Sequence, residues 1–407
     1  MYYPVIAGCR VCSWKGGGAM PTTQTHYTVI KVRLYPDAAQ SALMEKTFGC
    51  CRYLWNQMLS DVQEFYAATD IHYIPTPAKY KKSAPFLSEV DSQALCSVHQ
   101  NLRKAFLDFF RAPKHFGYPQ YKSKKARKDT FTVFCRPYRT GPSVFLTGNG
   151  IQMPKLGIIK AKLHRRPNPG QELKYVTIMR TRSGKYFASI GFRYEAELPP
   201  QVLPTPGTTL GLNHSLVHYY TDSTGHCTDL PPYMARAKEK LARMQQRLSR
   251  MQHGSKNYAE QLHKIQLLHE HIANQRKDFA HKESRRTANA WNAVCVKDTD
   301  LIRLSQHIKG RNVMDSGFGM FRECLKYKLA EQGKPFIIID RYAPTAKTCH
   351  ICGHIQEGLR SRTREWVCPH CGSILVHEEN AALNIRNMGL AQFGRQHQET
   401  GAFSAVS

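Results

Sequence analysis

Cys349-His350-Ile351-Cys352-Gly353, then fifteen residues later Cys368-Pro369-His370-Cys371-Gly372, and soon after it His377-Glu378-Glu379-Asn380-Ala381-Ala382-Leu383-Asn384-Ile385, is the stretch that decides the C-terminal half of this chain. Zinc takes four thiolates in a tetrahedron, and a Cys-x-x-Cys turn followed by glycine supplies two from one knuckle. Cys349, Cys352, Cys368 and Cys371 therefore read as the ligands of a four-cysteine ribbon over residues 345–375. Four protein ligands close the coordination sphere, so the expected Zn2+ is structural. His350, His354 and His370 are left as supporting or solvent-facing imidazoles.

Outward from the ribbon, Thr208 to Gly225 reads as strand, tight turn and strand, and residues 233–290 as a long helical hairpin broken at Gly254-Ser255. Leu241, Met244, Leu248 and Met251 fall on one face of its first arm. Asn274, Arg276, His281 and Lys282 form a polar surface on the second. Strands at Ala293–Cys295, Leu301–Leu304 and Pro335–Asp340, alternating with a helix near Ser316–Glu331, predict an α/β unit on a mixed sheet.

The N-terminal half has a different pattern. Ile30, Lys31, Val32, Arg33 and Leu34 alternate as in a half-buried strand. A helical region is expected from Asp37 to Arg111, with Leu95, Val98, Leu102, Phe106 and Phe109 at helical spacing. The segment YPQYKSKKARK, from Tyr118 to Lys128, mixes aromatic rings with cations, as stacking and phosphate contact on a nucleic acid require. Residues 131–195 read as short strands of a small β-barrel, left through the linker Pro199–Pro206. Residues 1–26 read as an extension. Lys15-Gly16-Gly17-Gly18-Ala19 suits a translated ribosome-binding site, with Met20 as the expected start and Cys9-x-x-Cys12 as no more than half a metal site.

Composition narrows the partner. Over 407 residues, 58 Lys+Arg against 30 Asp+Glu give a formal charge of +28, and 42% hydrophobic residues exclude a disordered basic tail. Such a surface calls for a polyanion, nucleic acid before an anionic membrane. No leader and no window of about 18 apolar residues is visible, so no membrane partner and a cytoplasmic location, at the bacterial nucleoid, are expected. In a reducing compartment thirteen cysteines do not imply disulfides.

With the ribbon between PTAKTCHICG and HEENAALNI, and with KVRLYPDAAQ, FGCCRYLWN, GYPQYKSKK, SGKYFASI, ANQRKDFAHK and FRECLKYKLAEQGK in order before it, residues 27–388 resemble the TnpB family of transposon-encoded RNA-guided nucleases. The resemblance implies a multidomain α+β chain. It would comprise a WED-like β-barrel (27–45 and 126–200) carrying an inserted REC-like helical lobe (46–125), a RuvC-like RNase H fold (207–344 and 376–388), the inserted ribbon, and a flexible tail (389–407). It also implies guide RNA and double-stranded DNA as partners. Arg52, Trp55, Asn56, Lys122, Lys124, Lys125 and Arg127 become candidate nucleic-acid contacts, with Asn274, Arg276, His281 and Lys282 on the hairpin. Oligomeric state is not legible.

Family nucleases hold two divalent ions with three carboxylates, and this sequence departs at each position. Where the family has G-I-D-x-G, it reads Gly211-Leu212-Asn213-His214-Ser215, so a neutral amide replaces the first acid. The second acid position falls on Leu304 or Ser305. The third, in D-x-N-A-A-x-N-I, is Glu378, which keeps the charge on a longer arm. Asp222, Asp300 and Asp340 are the nearest substitutes. Productive Mg2+ binding and catalysis are therefore not expected, a pattern that looks like nuclease-dead TnpB-like repressors. The alternatives are an active RNA-guided endonuclease of an insertion sequence and a guide-independent basic DNA-binding protein.

Overall fold

The computed structural model describes residues 23–124, 129–139, 141–197, 199–215, 218–300, 317–360 and 363–398. Cys9, Cys12, Lys125, Arg127, Leu304 and Ser305 lie outside them, as do most of the expected extension, the expected strand Leu301–Leu304 and the end of the expected tail. The chain divides into two compact units that part after Glu197.

In the first unit, β1 (Thr23–Tyr35) buries Ile30, Val32 and Leu34 and exposes the intervening face only in part. It begins inside the expected extension, because Thr23 to His26 pair with the far end of a long partner strand. Helix α1 (Ala38–Thr69) starts at a capping box, in which Asp37 accepts from the Gln40 backbone and Gln40 reaches back to Asp37. Such a box is worth about 1 kcal/mol and sets the helix start eight residues before the expected lobe boundary at 46. Two 3-10 turns, Pro77–Lys81 and Pro85–Ser88, lead to α2 (Ser92–Arg111), capped by Asp91. Leu95, Val98, Leu102 and Phe106 on α2 are buried as their spacing predicts.

The strands that follow are β2 (Asp129–Phe134), β3 (Pro137–Tyr138), β4 (Gly141–Pro142), β5 (Phe145–Leu146), β6 (Gly150–Met153), β7 (Gly157–Lys162), β8 (Glu172–Arg180) and β9 (Tyr186–Glu197). Seven of the unit's strands form one antiparallel sheet, β2-β8-β9-β1-β7-β6-β5. No ladder joins β2 to β5 among the described residues, so the expected barrel is a sheet with two ends. One apolar cluster runs from Ile30 through Met44, Leu54, Leu95 and Phe106 to Ile190, which makes the helices and the sheet share a core.

In the second unit, β10 (Thr209–Asn213), β11 (Tyr220–Asp222) and β12 (Cys227–Thr228) form an antiparallel run. Helices α3 (Pro232–Ser249) and α4 (Lys256–Ala290) are the expected hairpin, and α4 is capped by the Ser255 hydroxyl. β13 (Ala293–Lys297), α5 (Phe318–Ala330) and β14 (Phe336–Ile339) complete a five-stranded mixed sheet, β12-β11-β10-β13-β14, in which β10, β13 and β14 are parallel. The central strands are apolar because both faces are covered.

The ribbon hairpin β15 (Glu365–Val367) and β16 (Ile374–Val376) leads into α6 (His377–Gln398), which lies against the sheet. Gly211 permits this approach: a Cβ there would stand 2.1 Å from the Ala382 carbonyl oxygen. Residues 389–398, expected as tail, continue α6, because Gly389 packs on Cys295 and Phe393 is buried with Ile337, Ile339 and Ile385. Among the described residues no helix is long and apolar enough to cross a membrane.

Candidate functional site

The two Cys-x-x-Cys turns fold alike. The Gly353 N–H donates to the Cys349 carbonyl at 2.9 Å, the Gly372 N–H donates to Cys368 at 2.8 Å, and both glycines have positive φ (78° and 72°). These turns bring four Sγ atoms within 4.8 Å of one another, with Cys349–Cys371 at 3.7 Å and Cys352–Cys368 at 3.6 Å. Tetrahedral zinc with Zn–S bonds near 2.3 Å needs sulfurs about 3.8 Å apart, so the thiols fit the ion with little adjustment. Hydrogen bonding to the Ser373 hydroxyl, then to its backbone, lowers the pKa of the Cys371 thiol, the direction that favours metal binding.

Two asparagines hold the ribbon on α6. Asn380 accepts from the His350 backbone N–H at 3.0 Å and donates to the Thr348 carbonyl at 2.8 Å. One helical turn on, Asn384 donates to Thr345 at 2.8 Å and to Thr348 at 2.6 Å. Both amides are buried, and His350 is thereby an anchor beside the ligands, while His354 and His370 stack face to face. The sequence displays these asparagines as part of a catalytic signature, with nothing local to show that they serve the ribbon.

At its N-terminal end α6 brings Glu378 to the β10–β11 end, where Asn213 lies; the second acid position is outside the described residues. Asn213 ends β10, and its ladder partner on β11 is Thr221. Directly opposed residues share a sheet face, so Asn213 lies on the side from which Thr221 reaches Glu378. The Thr221 hydroxyl donates to Glu378 Oε2 at 2.7 Å, and the Ser215 hydroxyl donates to Oε1 at 2.6 Å. Ser215 also accepts from the His218 N–H at 3.1 Å, which ties it to the start of the next described segment. Both Glu378 oxygens are thus clasped by hydroxyls from the β10–β11 end. Ser215 occupies the last glycine of the family motif.

A neutral imidazole stands beside the clasp. The His214 ring lies 4.5 Å from Phe318, and burial, then the Arg322 guanidinium, drives its pKa down to about 4, so it is neutral at pH 7. The substitute acids are committed elsewhere. Asp222 Oδ1 accepts from the Thr224 hydroxyl and from the N–H groups of Thr224 and His226, and Asp340 accepts from the Tyr342 N–H at 2.6 Å. Asp300 stands 3.8 Å from Arg341. Among the described residues the thiol cluster is the group of three or more His, Cys, Asp or Glu that converges tightly enough for a metal ion.

The candidate nucleic-acid residues of the first unit form a joint. The Trp55 indole donates to the Gln120 carbonyl at 3.0 Å, and Asn56 and Lys122 exchange two hydrogen bonds at 2.7 and 3.0 Å. The Lys122 ammonium sits 3.5 Å over the Trp55 ring, where desolvation lowers it to about 8. Trp55 is buried, so its ring presents no open stacking face. Arg52 pairs with Asp129 at 3.4 Å, and Lys124 is exposed. On α4, Asn274 is exposed and Arg276 half-buried, Lys282 pairs with Asp278 at 2.8 Å, and His281 lies against Cys324 and Tyr327 of α5, its pKa lowered mainly by burial.

Three family profiles match: "Cas12f1-like, TNB domain" over residues 318–385, "Probable transposase" over 191–306, and "Helix-turn-helix domain" over 27–70, a span that is here a strand and one long helix. A protein of Streptomyces pristinaespiralis named "Putative RNA-guided DNA endonuclease" is 32% identical over 373 residues, 89% of each chain. The Escherichia coli K12 protein "Putative RNA-guided DNA endonuclease InsQ" is 27% identical over 385 residues, 89% of this chain and 92% of that one. The cryo-EM structure of a Cas12f1–sgRNA–target DNA complex shares the fold with a TM-score of 0.54 at 13% identity, over 89% of this chain and 99% of that one. With a relative 32% identical along 89% of its length, and a thiol ribbon docked on α6 inside the matched span 318–385, the chain belongs to the TnpB family.

Proposed function

We propose that this chain is an RNA-guided, sequence-specific DNA-binding protein that does not cut, and that it represses transcription by occupying guide-matched promoter DNA beside a short adjacent motif. Guide pairing reads the sequence in such a complex, and the protein supplies the channel and the adjacent-motif contact. The relatives' names and the charge of +28 support the nucleic-acid partners. The clasp on Glu378 carries the non-cutting part. Its two oxygens already accept hydroxyl hydrogen bonds, and Asn213 brings no charge. These residues do not fit a two-Mg2+ centre, so no hydrolytic step is derived through one. The four thiolates would hold zinc as a structural staple, and the working location would be the cytoplasm, at the nucleoid.

A second reading, an active RNA-guided endonuclease, is favoured by the charge that Glu378 retains and by the names of the relatives. One experiment separates the two. The protein is purified with its RNA, the guide is sequenced, and a matched duplex is presented with Mg2+. Guide-dependent retention of an intact duplex, with repression of a reporter bearing the matched promoter, is the expected result. Cleavage of the matched duplex would overturn the repressor reading, and binding indifferent to the guide would overturn both.

A further inference from the structure

Arg236, Lys240, Arg243 and Arg247 of α3, with Arg250 at its C-cap, recur at steps of four and three residues. At about 100° per residue, all five fall within roughly 80° of arc, in a row about 21 Å long. All five are exposed. Beside the row runs the half-buried seam of Leu241, Met244 and Leu248, which faces α4. Lys264 of α4 stands across that seam. Lys240, Arg243, Arg247 and Lys264 line a groove of about 490 Å³ with Met244 and the buried Gln261, whose amide donates to the Met244 carbonyl at 3.0 Å.

An ordinary solvated helix face mixes signs, and the distal half of α4 does: Lys282 pairs with Asp278, Arg286 with Glu283, and Arg285 with Glu331. The α3 row makes no ion pair among the described residues. Like charges at i,i+3 and i,i+4 repel one another along a helix, a repulsion that a bound polyanion relieves. No aromatic ring lines the groove, so it offers nothing on which a base could stack. The apolar side of α3 is turned to α4, which leaves no apolar face for a membrane surface.

We propose that the α3 row and Lys264 clamp a phosphodiester backbone, binding charge without reading sequence. This rests on the nucleic-acid partnership proposed above and assigns it a surface. The test uses the RNA-loaded protein and the variant Lys240→Gln/Arg243→Gln/Arg247→Gln/Lys264→Gln. Two quantities are followed: RNA retained per chain with its salt of release, and the dependence of the Kd for matched duplex on salt. If the strand is DNA, log Kd against log salt becomes shallower by about 3 and affinity at about 150 mM salt falls at least about tenfold. If it is RNA, the same change appears in RNA retention while the DNA slope holds. Should the quadruple variant misfold, Arg243→Gln alone is expected to shift one slope by about 1. A variant with parental melting and both quantities unchanged overturns the clamp. A parent that binds DNA regardless of guide removes the guided reading but leaves the slope comparison valid, so the two failures are distinct.

Discussion

Asn380 and Asn384 of α6 hold a ribbon whose four thiols converge within 4.8 Å, whereas Glu378, at the start of the same helix, spends both carboxylate oxygens on hydroxyls of Ser215 and Thr221. Both centres join distant chain segments to α6. A coordination site works as a set, because zinc needs every thiolate, and one replaced ligand breaks it. A hydrogen-bonded clasp asks only for geometry, and each donor is worth about 1–3 kcal/mol by itself. The ribbon keeps its full donor set, and the β10 end holds the same helix through hydroxyl hydrogen bonds.

The sharpest break in that comparison is Cys368→Ser. Structural zinc contributes on the order of 10 kcal/mol in small ribbons, so the variant should lose its zinc, measured by elemental analysis against one ion per chain in the parent, and residues 345–375 should become protease-sensitive. A chelator should do the same to the parent, whereas adding Mg2+ should leave the melting temperature unchanged.

His214 gives the next largest effect. Its folded pKa, about 4, lies below the free value of 6.5, so the unfolded chain takes up a proton first as pH falls. The stability secured by the neutral ring is intact above pH 6.5 and is lost between about 6.5 and 4, roughly 3 kcal/mol at most. His214→Gln should flatten the denaturation midpoint across that window relative to the parent, at matched zinc content. Parallel curves would show that the ring is not buried as a neutral group.

Asn380→Ala should cost about 2 kcal/mol, since it strands the His350 N–H in a buried joint and leaves the Thr348 carbonyl to the Asn384 amide alone. Hydrogen exchange should speed up in the ribbon and leave β10 protected. The smallest change is expected from Glu378→Gln, about 1 kcal/mol, because the amide oxygen still accepts from one hydroxyl and the other hydroxyl can turn to accept from the amide N–H. A loss far beyond that, restored by divalent cations, would make Glu378 a metal ligand and erase the contrast between the two centres.

The ribbon was legible because its four ligands lie within 23 residues, in two turns whose glycines mark the knuckles. β10, β11, the α3–α4 break and α5 were legible from apolar period and turn residues. The clasp was not, because Ser215 and Thr221 are ordinary turn and strand residues until a partner 163 and 157 positions away arrives. The α3 row was not legible, because Leu241, Met244 and Leu248 mark only the seam, while the unpaired state of the row's cations depends on where acids from other elements fall. Trp55, Asn56 and Lys122 stood out by residue type, yet only packing showed that they bind one another.

The sequence by itself determined the clustered cysteines, most of the strand periods and the excess of cations, since each depends on residue identity or on spacing within a few turns. Tertiary structure decided that α6 continues to Gln398, that Asn380 and Asn384 serve the ribbon, and that Glu378 is clasped. Those outcomes rest on hydrogen bonds and close approaches between segments far apart in the chain, such as Gly211 against Ala382, which no local pattern encodes.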